Sequence, residues 1–197
     1  MNSYHLHLTF ELKSFKLNSM SNIFENLQIF LKQINTRTEH AVARLLLKKS
    51  MTISTAESCT GGLISSRLTD IAGSSAFVKE NYITYANEAK TKLLGVSEQT
   101  LKTYGAVSEQ CALEMVKGLF EATGCDIALA TTGVAGPDAS ENKPVGLIYI
   151  ALKNKYTTKV KKIELNPLYK RKTMKFLFSQ KALEFLIGFL KEHDEKN

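Results

Sequence analysis

Residues 51–71 read MTISTAESCTGGLISSRLTDI. Met51–Ala56 is a short β-branched run. It is followed by SCTGG and then by a helical pattern from about Gly62 to Ile71. A strand that turns through two glycines into a helix is the opening of an α/β unit. The turn also carries chemistry. A helix opening on glycines offers free backbone N–H groups, which stabilise a phosphate or a developing oxyanion. Ser58 or Thr60 would serve equally as a plain N-cap. The spacing GxxxxGK[ST] is absent, so this is not a P-loop.

Further along, Phe77–Tyr85 reads as a strand, and Asn87–Leu94 and Ser97–Tyr104 read as short helices opening on N-cap residues. Ser108–Thr123 is a longer helix with Ala112, Met115, Val116 and Leu119 on one face, closed by Gly124. Asp126–Thr132 is a small, β-branched run suited to a buried strand. Val145–Leu152 and Tyr156–Leu165 form a hairpin around Asn154. Asn166-Pro167 would cap a closing helix whose buried stripe is Phe178, Ala182, Phe185, Leu186 and Phe189. Helices alternating with strands, with a late hairpin, predict an α/β domain with a mixed sheet.

Upstream, Asn22–Ser50 is helical in pattern and broken at 36–38. Residues 1–20 alternate at Tyr4, Leu6, Leu8, Phe10 and Leu12, as an added edge strand or a poorly ordered extension would. The expected organisation is an N-terminal extension over 1–37, one domain over 38–190 and a polar tail over 191–197.

The chain of 197 residues carries 26 Lys plus Arg against 19 Asp plus Glu, a net charge of +7. Residues 51–150 hold 7 basic and 11 acidic side chains, whereas 151–197 hold 12 and 5. The basic excess therefore sits at the ends, which argues against wholesale nucleic-acid binding. Apolar runs such as Val145–Leu152 and Phe185–Leu190 are too short to span a membrane. MNSYHLHLTFELK lacks a basic region followed by an apolar one, so no signal peptide is expected. Three cysteines, Cys59, Cys111 and Cys125, with no CxxC pair, point to a reducing cytoplasm rather than to disulfides or a zinc ribbon. All four histidines (5, 7, 40 and 193) lie outside 41–192. Chemistry in the middle would use no Ser-His-Asp relay and no histidine-bound metal, and no cofactor is implied.

Two more loops look chemical. In Thr84–Lys90, Asn87 as cap would place Lys90 in the first helical turn, where the dipole opposes a cation. Desolvation there favours the neutral amine that a general base requires. The alternative is that Lys90 and Lys92 are solvated surface lysines. In Thr131–Pro137, a strand ends in hydroxyls and enters a Gly/Pro loop of the kind that lines ligand crevices, or one that is merely structural. Lys170, Arg171, Lys172 and Lys175 crowd the start of the last helix, where the dipole disfavours cations unless solvent or an anion compensates.

Together these strings resemble the C-terminal domain of the competence/damage-inducible CinA family, nicotinamide-mononucleotide deamidases. TAESCTGGLISSRLTDIAGSSAF (Thr55–Phe77), ITYANEAKTKLLGVSEQTL (Ile83–Leu101), YGAVSEQCALEM (Tyr104–Met115) and ALATTGVAGP…KPVGLIYIAL (Ala128–Leu152) carry the resemblance. It covers roughly residues 38–190.

The resemblance implies a three-layer α/β/α sandwich with a mixed, mostly parallel sheet, in the stand-alone form of the family. It implies an amidohydrolase giving nicotinate mononucleotide and ammonia, in pyridine nucleotide recycling, and a homodimer or larger oligomer. It also implies catalytic Ser58, Tyr85 and Lys90. Ser58 would be the nucleophile, and Lys90, or Tyr85 acidified by Lys90, would move the proton. Donors near Cys59, Thr60, Gly61 and Gly62, with Thr132 or Gly133 opposite, would hold the oxyanion. Arg171 would grip the nucleotide phosphate, and Lys175 stands where a second arginine is usual. Cys59 is the rival nucleophile, since a thiol beside a helix N-terminus can have a lowered pKa.

This chain departs from the family pattern at Glu80-Asn81 (usually a glycine, with Asn able to turn left-handed), at Ala86 (usually Ser), and at Asp138-Ala139-Ser140 (usually glycines). Competing expectations are a non-catalytic interaction module and, last, a basic nucleic-acid binder.

Overall fold

The computed structural model describes residues 24, 25, 27–29, 31 and 37–192. The chain forms two compact units, 1–36 and 37–197. In the first, the described residues are helical; the strand expected over 1–20 and the end of the polar tail lie outside the described residues.

The second unit runs α1 (Arg37–Lys48), β1 (Ile53–Glu57), α2 (Leu63–Thr69), a 3₁₀ turn (Ser74–Ala76), β2 (Val78–Ile83), α3 (Asn87–Leu94), α4 (Glu98–Tyr104), α5 (Glu109–Thr123), β3 (Ile127–Gly133), β4 (Leu147–Lys153), β5 (Thr158–Glu164) and α6 (Arg171–Glu192). The sheet order is β2-β1-β3-β4-β5. β1 pairs parallel with both β2 and β3, while β4 is antiparallel to β3 and to β5. Four strands therefore run one way and only β4 runs back. No helix among the described residues is long and apolar enough to cross a membrane.

The two faces of the sheet are built differently. On one, Ile53, Ile127, Leu129, Ile148, Ile150 and Leu152 pack against α1, α2 and α6. On the other, Ala56, Ala128, Ala130 and Ala151 meet α5. Alternation of large and small side chains along each strand sets this up, since successive residues face opposite sides. The alanine face lets α5 lie close. A Cβ on its Gly118 would sit 1.7 Å from the Leu94 carbonyl oxygen, so α5 and the end of α3 touch backbone to backbone. This gives the three-layer α/β/α architecture.

The winding positions the site. From β1 the chain crosses to β2 on one side and returns to β3 on the other. The ends of β1 and β3 thus form a switch point, where α/β sheets bind ligands.

Three local expectations change. Asn166 accepts from the Leu168 amide at 3.0 Å, a turn rather than a helix cap, and α6 starts only at Arg171. The basic cluster consequently starts at Lys170, immediately before the helix, and continues through its first turns; the Lys170 carbonyl accepts from the Met174 amide at 2.9 Å. Asn87 is the first helical residue of α3, and Ala86 occupies the cap position with no side-chain hydrogen bond. Asn81 is not left-handed. It lies within β2 beside an irregular register, and its Oδ1 accepts from the Thr55 amide at 3.1 Å and the Thr55 hydroxyl at 3.0 Å. A side-chain acceptor replaces the special backbone angle.

Candidate active site

Ser58 follows the last residue of β1, and its amide donates to the Thr131 carbonyl of β3 at 3.1 Å. That bond ties the two strand ends together and fixes the serine at the floor of a cleft. The cleft, about 210 Å³, is also lined by Cys59, Tyr85, Lys90, Thr132, Gly133 and Arg171.

Lys90, in the first turn of α3, is 1% exposed. Its Nζ donates to the Thr84 carbonyl at 2.8 Å, the Tyr85 carbonyl at 3.2 Å and Ser58 Oγ at 3.1 Å. The Thr84 amide in turn donates to the Glu57 carbonyl at 2.9 Å, which anchors this loop beside β1. Among the described residues no carboxylate pairs with Lys90. Burial lowers its pKa from the ordinary lysine value. The amine nitrogen is tetrahedral. When it is neutral, the two carbonyls take its two N–H groups and its lone pair faces Ser58. That is the geometry of a general base on a hydroxyl.

The surroundings of Cys59 disfavour its thiolate. It is buried, and burial together with the Glu57 charge pushes its thiol up to about 12. The helix-terminus effect that could activate it is already used. Glu57, wholly buried, accepts from the amides of Ile64 (3.0 Å) and Ser65 (2.8 Å) and from the Ser65 hydroxyl (2.6 Å). The chain's own carboxylate thus fills the anion site at the start of α2. The sequence reading missed this role; its one signal was an acidic residue at the end of the strand preceding the helix.

Thr60, Gly61 and Gly62 are drawn away from the cleft. The buried Thr60 hydroxyl shares a 3.0 Å bond with Thr131 Oγ1. Gly61 and Gly62 adopt φ of +59° and +88°, which glycine does without strain, and they shape the turn. Lys175 lies over Gly61, where a Cβ would come within 3.0 Å of its Nζ. The main-chain donor left beside Ser58 is the Cys59 amide, which donates to no main-chain carbonyl among the described residues and lies against its own thiol.

Thr132 and Gly133 line the cleft. The Thr132 hydroxyl donates to the Ala106 carbonyl at 2.6 Å, pinning the α4–α5 connection to the end of β3. At Gly133 a Cβ would lie 2.5 Å from the Leu147 carbonyl oxygen, so the tight β3–β4 pairing requires glycine here.

Tyr85 is 60% exposed, and its hydroxyl accepts from Arg171 Nη2 at 2.8 Å instead of meeting Lys90. Its link to Lys90 is through the main-chain carbonyl. Arg171 Nη1 donates to the Gly136 carbonyl. One guanidinium thereby straps together the β2–α3 loop, the β3–β4 loop and α6. Two carboxylates also line the cleft: Asp138, noted in the sequence as a departure from the family's glycines, and Glu141, which the sequence did not single out. Among the described residues no three His, Cys, Asp or Glu side chains gather to hold a metal ion.

Residues 35–190 match the family model of the CinA C-terminal domain. A CinA-like protein from Chlorobium limicola is 51% identical over 122 residues, 61% of this chain and 28% of that protein. One from Chlorobium phaeobacteroides is 47% identical over 149 residues, 74% of this chain and 35% of that protein. The chain spans about a third of the length of these curated relatives. Among solved structures, competence/damage inducible protein CihA from Agrobacterium tumefaciens matches with TM-score 0.73 at 40% identity, covering 78% of this chain and 95% of that one. A competence-damaged protein (CinA) superfamily protein from Klebsiella pneumoniae matches with TM-score 0.77 at 31% identity, covering 80% and 99%.

Proposed function

The chain belongs to the CinA C-terminal domain family, and on that premise we propose that it hydrolyses the carboxamide of nicotinamide mononucleotide to nicotinate mononucleotide and ammonia. The observation that carries this reading is the 3.1 Å contact between Lys90 Nζ and Ser58 Oγ inside a lined cleft. A serine paired with a buried lysine that has no counter-ion is a nucleophile with its base.

The steps follow from the groups present. Neutral Lys90 takes the Ser58 proton as Oγ bonds to the carboxamide carbon. The oxyanion forms beside the Cys59 amide. The C–N bond then breaks, Lys90 returns the proton to the departing nitrogen, and ammonia leaves an acyl-serine. Water attacks the ester with Lys90 again accepting its proton, which passes to Ser58 Oγ as the carboxylate product departs. Arg171 takes the nucleotide phosphate through its fork of donors, with Lys175 nearby as a second cation. Tyr85 acts through two atoms: its carbonyl orients Lys90, and its hydroxyl aims Arg171.

The test is ammonia release from nicotinamide mononucleotide by the purified protein. Ser58→Ala should lower kcat by about 10³-fold or more, and Cys59→Ala should leave most of it. Wild-type protein that releases no ammonia would overturn the reading in favour of a non-catalytic module.

A further inference from the structure

Asp138 and Glu141 take no part in the chemistry above, yet both line the cleft that holds Ser58 and Arg171. Neither has a cationic partner among the described residues. Glu141 is held firmly. Its Oε2 accepts from the Val107 amide at 3.1 Å. It lies so close to Gly105 that a Cβ there would approach that oxygen to 2.5 Å. Glu141 and Asn142 both adopt positive φ, +52° and +58°, inside a short turn closed by the Ser140–Lys143 bridge. Its charge reaches the catalytic amine, acting on Lys90 to favour the protonated form. Arg171 is held by other anchors, Gly136 and Tyr85. The cleft thus presents one cation and two carboxylates that do not neutralise one another.

A carboxamide on a pyridinium ring carries its positive charge within a few bond lengths of the reacting carbon. Any counter-charge for that ring must therefore lie in the same cleft as Ser58. We propose that Glu141, assisted by Asp138, is the specificity determinant that selects carboxamides borne on a cationic ring over the same amides on a neutral ring. This rests on the amidase reading. The ring stays cationic through both acyl-transfer steps, so Glu141 acts on binding more than on the chemical step. The same carboxylate repels the new carboxylate of the product and hastens its release.

The test compares nicotinamide mononucleotide with its dihydro form, which has the same amide and phosphate on an uncharged ring. Glu141→Gln keeps an oxygen for the Val107 amide and removes the charge. It should raise KM for the cationic substrate about fivefold to tenfold, move the kcat profile to lower pH as Lys90 loses that charge while changing its plateau little, and leave KM for the neutral substrate unchanged. Product inhibition should weaken less than substrate binding does, because the repulsion of the new carboxylate is lost along with the attraction for the ring. Asp138→Asn should shift KM the same way by a smaller factor, and it carries the same prediction if the first variant does not fold. An equal effect on both substrates, or none on either, overturns the proposal. If wild type releases ammonia from neither, the amidase reading fails, and this inference falls with it.

Discussion

Arg67 on α2 is 6% exposed and Lys90 on α3 is 1% exposed, but the surroundings of the two cations differ in kind. Arg67 Nε pairs with Glu39 at 2.5 Å, Nη1 donates to Ser179 Oγ at 2.7 Å, and Nη2 donates to Gln180 Oε1 at 2.6 Å. The Phe176 ring lies 4.9 Å beneath its guanidinium carbon. Every nitrogen has an acceptor, one of them ionised, and the charge is fixed. Lys90 is given only two carbonyls and a serine hydroxyl. Desolvation is not offset by a paired carboxylate, so the pKa of the amine is lowered and its proton is more readily given up. A buried cation with a carboxylate joins helices; one without is poised to release its proton.

The sharpest way to break this contrast is at Lys90. Lys90→Met should lower kcat/KM by about 10³-fold or more. Lys90→Arg should not rescue it, because a guanidinium does not deprotonate in this range. In wild type, kcat/KM should climb with pH as Lys90 loses its proton, with a midpoint below the ordinary lysine value of about 10.4. Between the lowered folded value and the ordinary one, the unfolded chain binds more protons than the folded chain. Stability should therefore rise with pH in that window, by at most about 1.4 kcal/mol per pH unit. Lys90→Met should flatten that slope in urea unfolding. A rate profile that falls with rising pH, or a wild-type stability slope that survives in Lys90→Met, would rule out the neutral-lysine base.

The Arg67 half of the contrast is a matter of stability. Arg67→Met strands Glu39, whose Oε2 already lacks a hydrogen-bond partner. Breaking a buried pair from one side costs about 3–5 kcal/mol. Adding Glu39→Leu removes the stranded charge and should recover most of that loss, since apolar replacements of buried pairs are often neutral. Urea unfolding of the single and double variants measures the difference, and ammonia release per folded molecule should be the same in both. Equal destabilisation of the two would mean that Arg67 acts through packing on Phe176 rather than through its charge.

Arg67 also shows where sequence reading stops. In LISSRLTDI it resembles any helix-surface arginine. Its burial depends on Glu39, Ser179 and Gln180, which are 28, 112 and 113 residues away. β1 and the turn into α2 were legible because β-branched runs and glycines act locally, and the α/β class followed. The Ser58–Lys90 pair was named through resemblance to a family; the residues alone left a serviceable N-cap and a surface lysine as alternatives. The Glu57 carboxylate filling the start of α2 was not legible, since nothing local distinguishes it from a solvated strand end. The α6 start was misplaced because Asn166-Pro167 suits a turn as well as a cap. In each miss a short-range signal had two uses, and a distant partner selected one.

The smallest expected effect separates helix stability from counter-charge. Ala86 holds an extended cap geometry, φ −78° and ψ 156°, with no side-chain bond to α3. By contrast, Ser97 and Ser108 cap α4 and α5 by accepting from Thr100 and Cys111 amides at 3.0 and 3.1 Å. Ala86→Ser should supply the missing bond and stabilise the fold by about 1 kcal/mol, a rise in Tm of about 2–4 °C for a domain of this size. Ala86→Asp offers the same cap but also a negative charge, which α3's N-terminus favours. Of the two variants only Asp adds an anion near Lys90, beyond the Glu141 and Glu88 charges already acting on it, so only Asp should raise the midpoint of the kcat/KM profile, while Ser should leave it in place. Identical profiles in the two variants would show that what tunes Lys90 is the rigidity of its helix rather than the absence of a counter-ion.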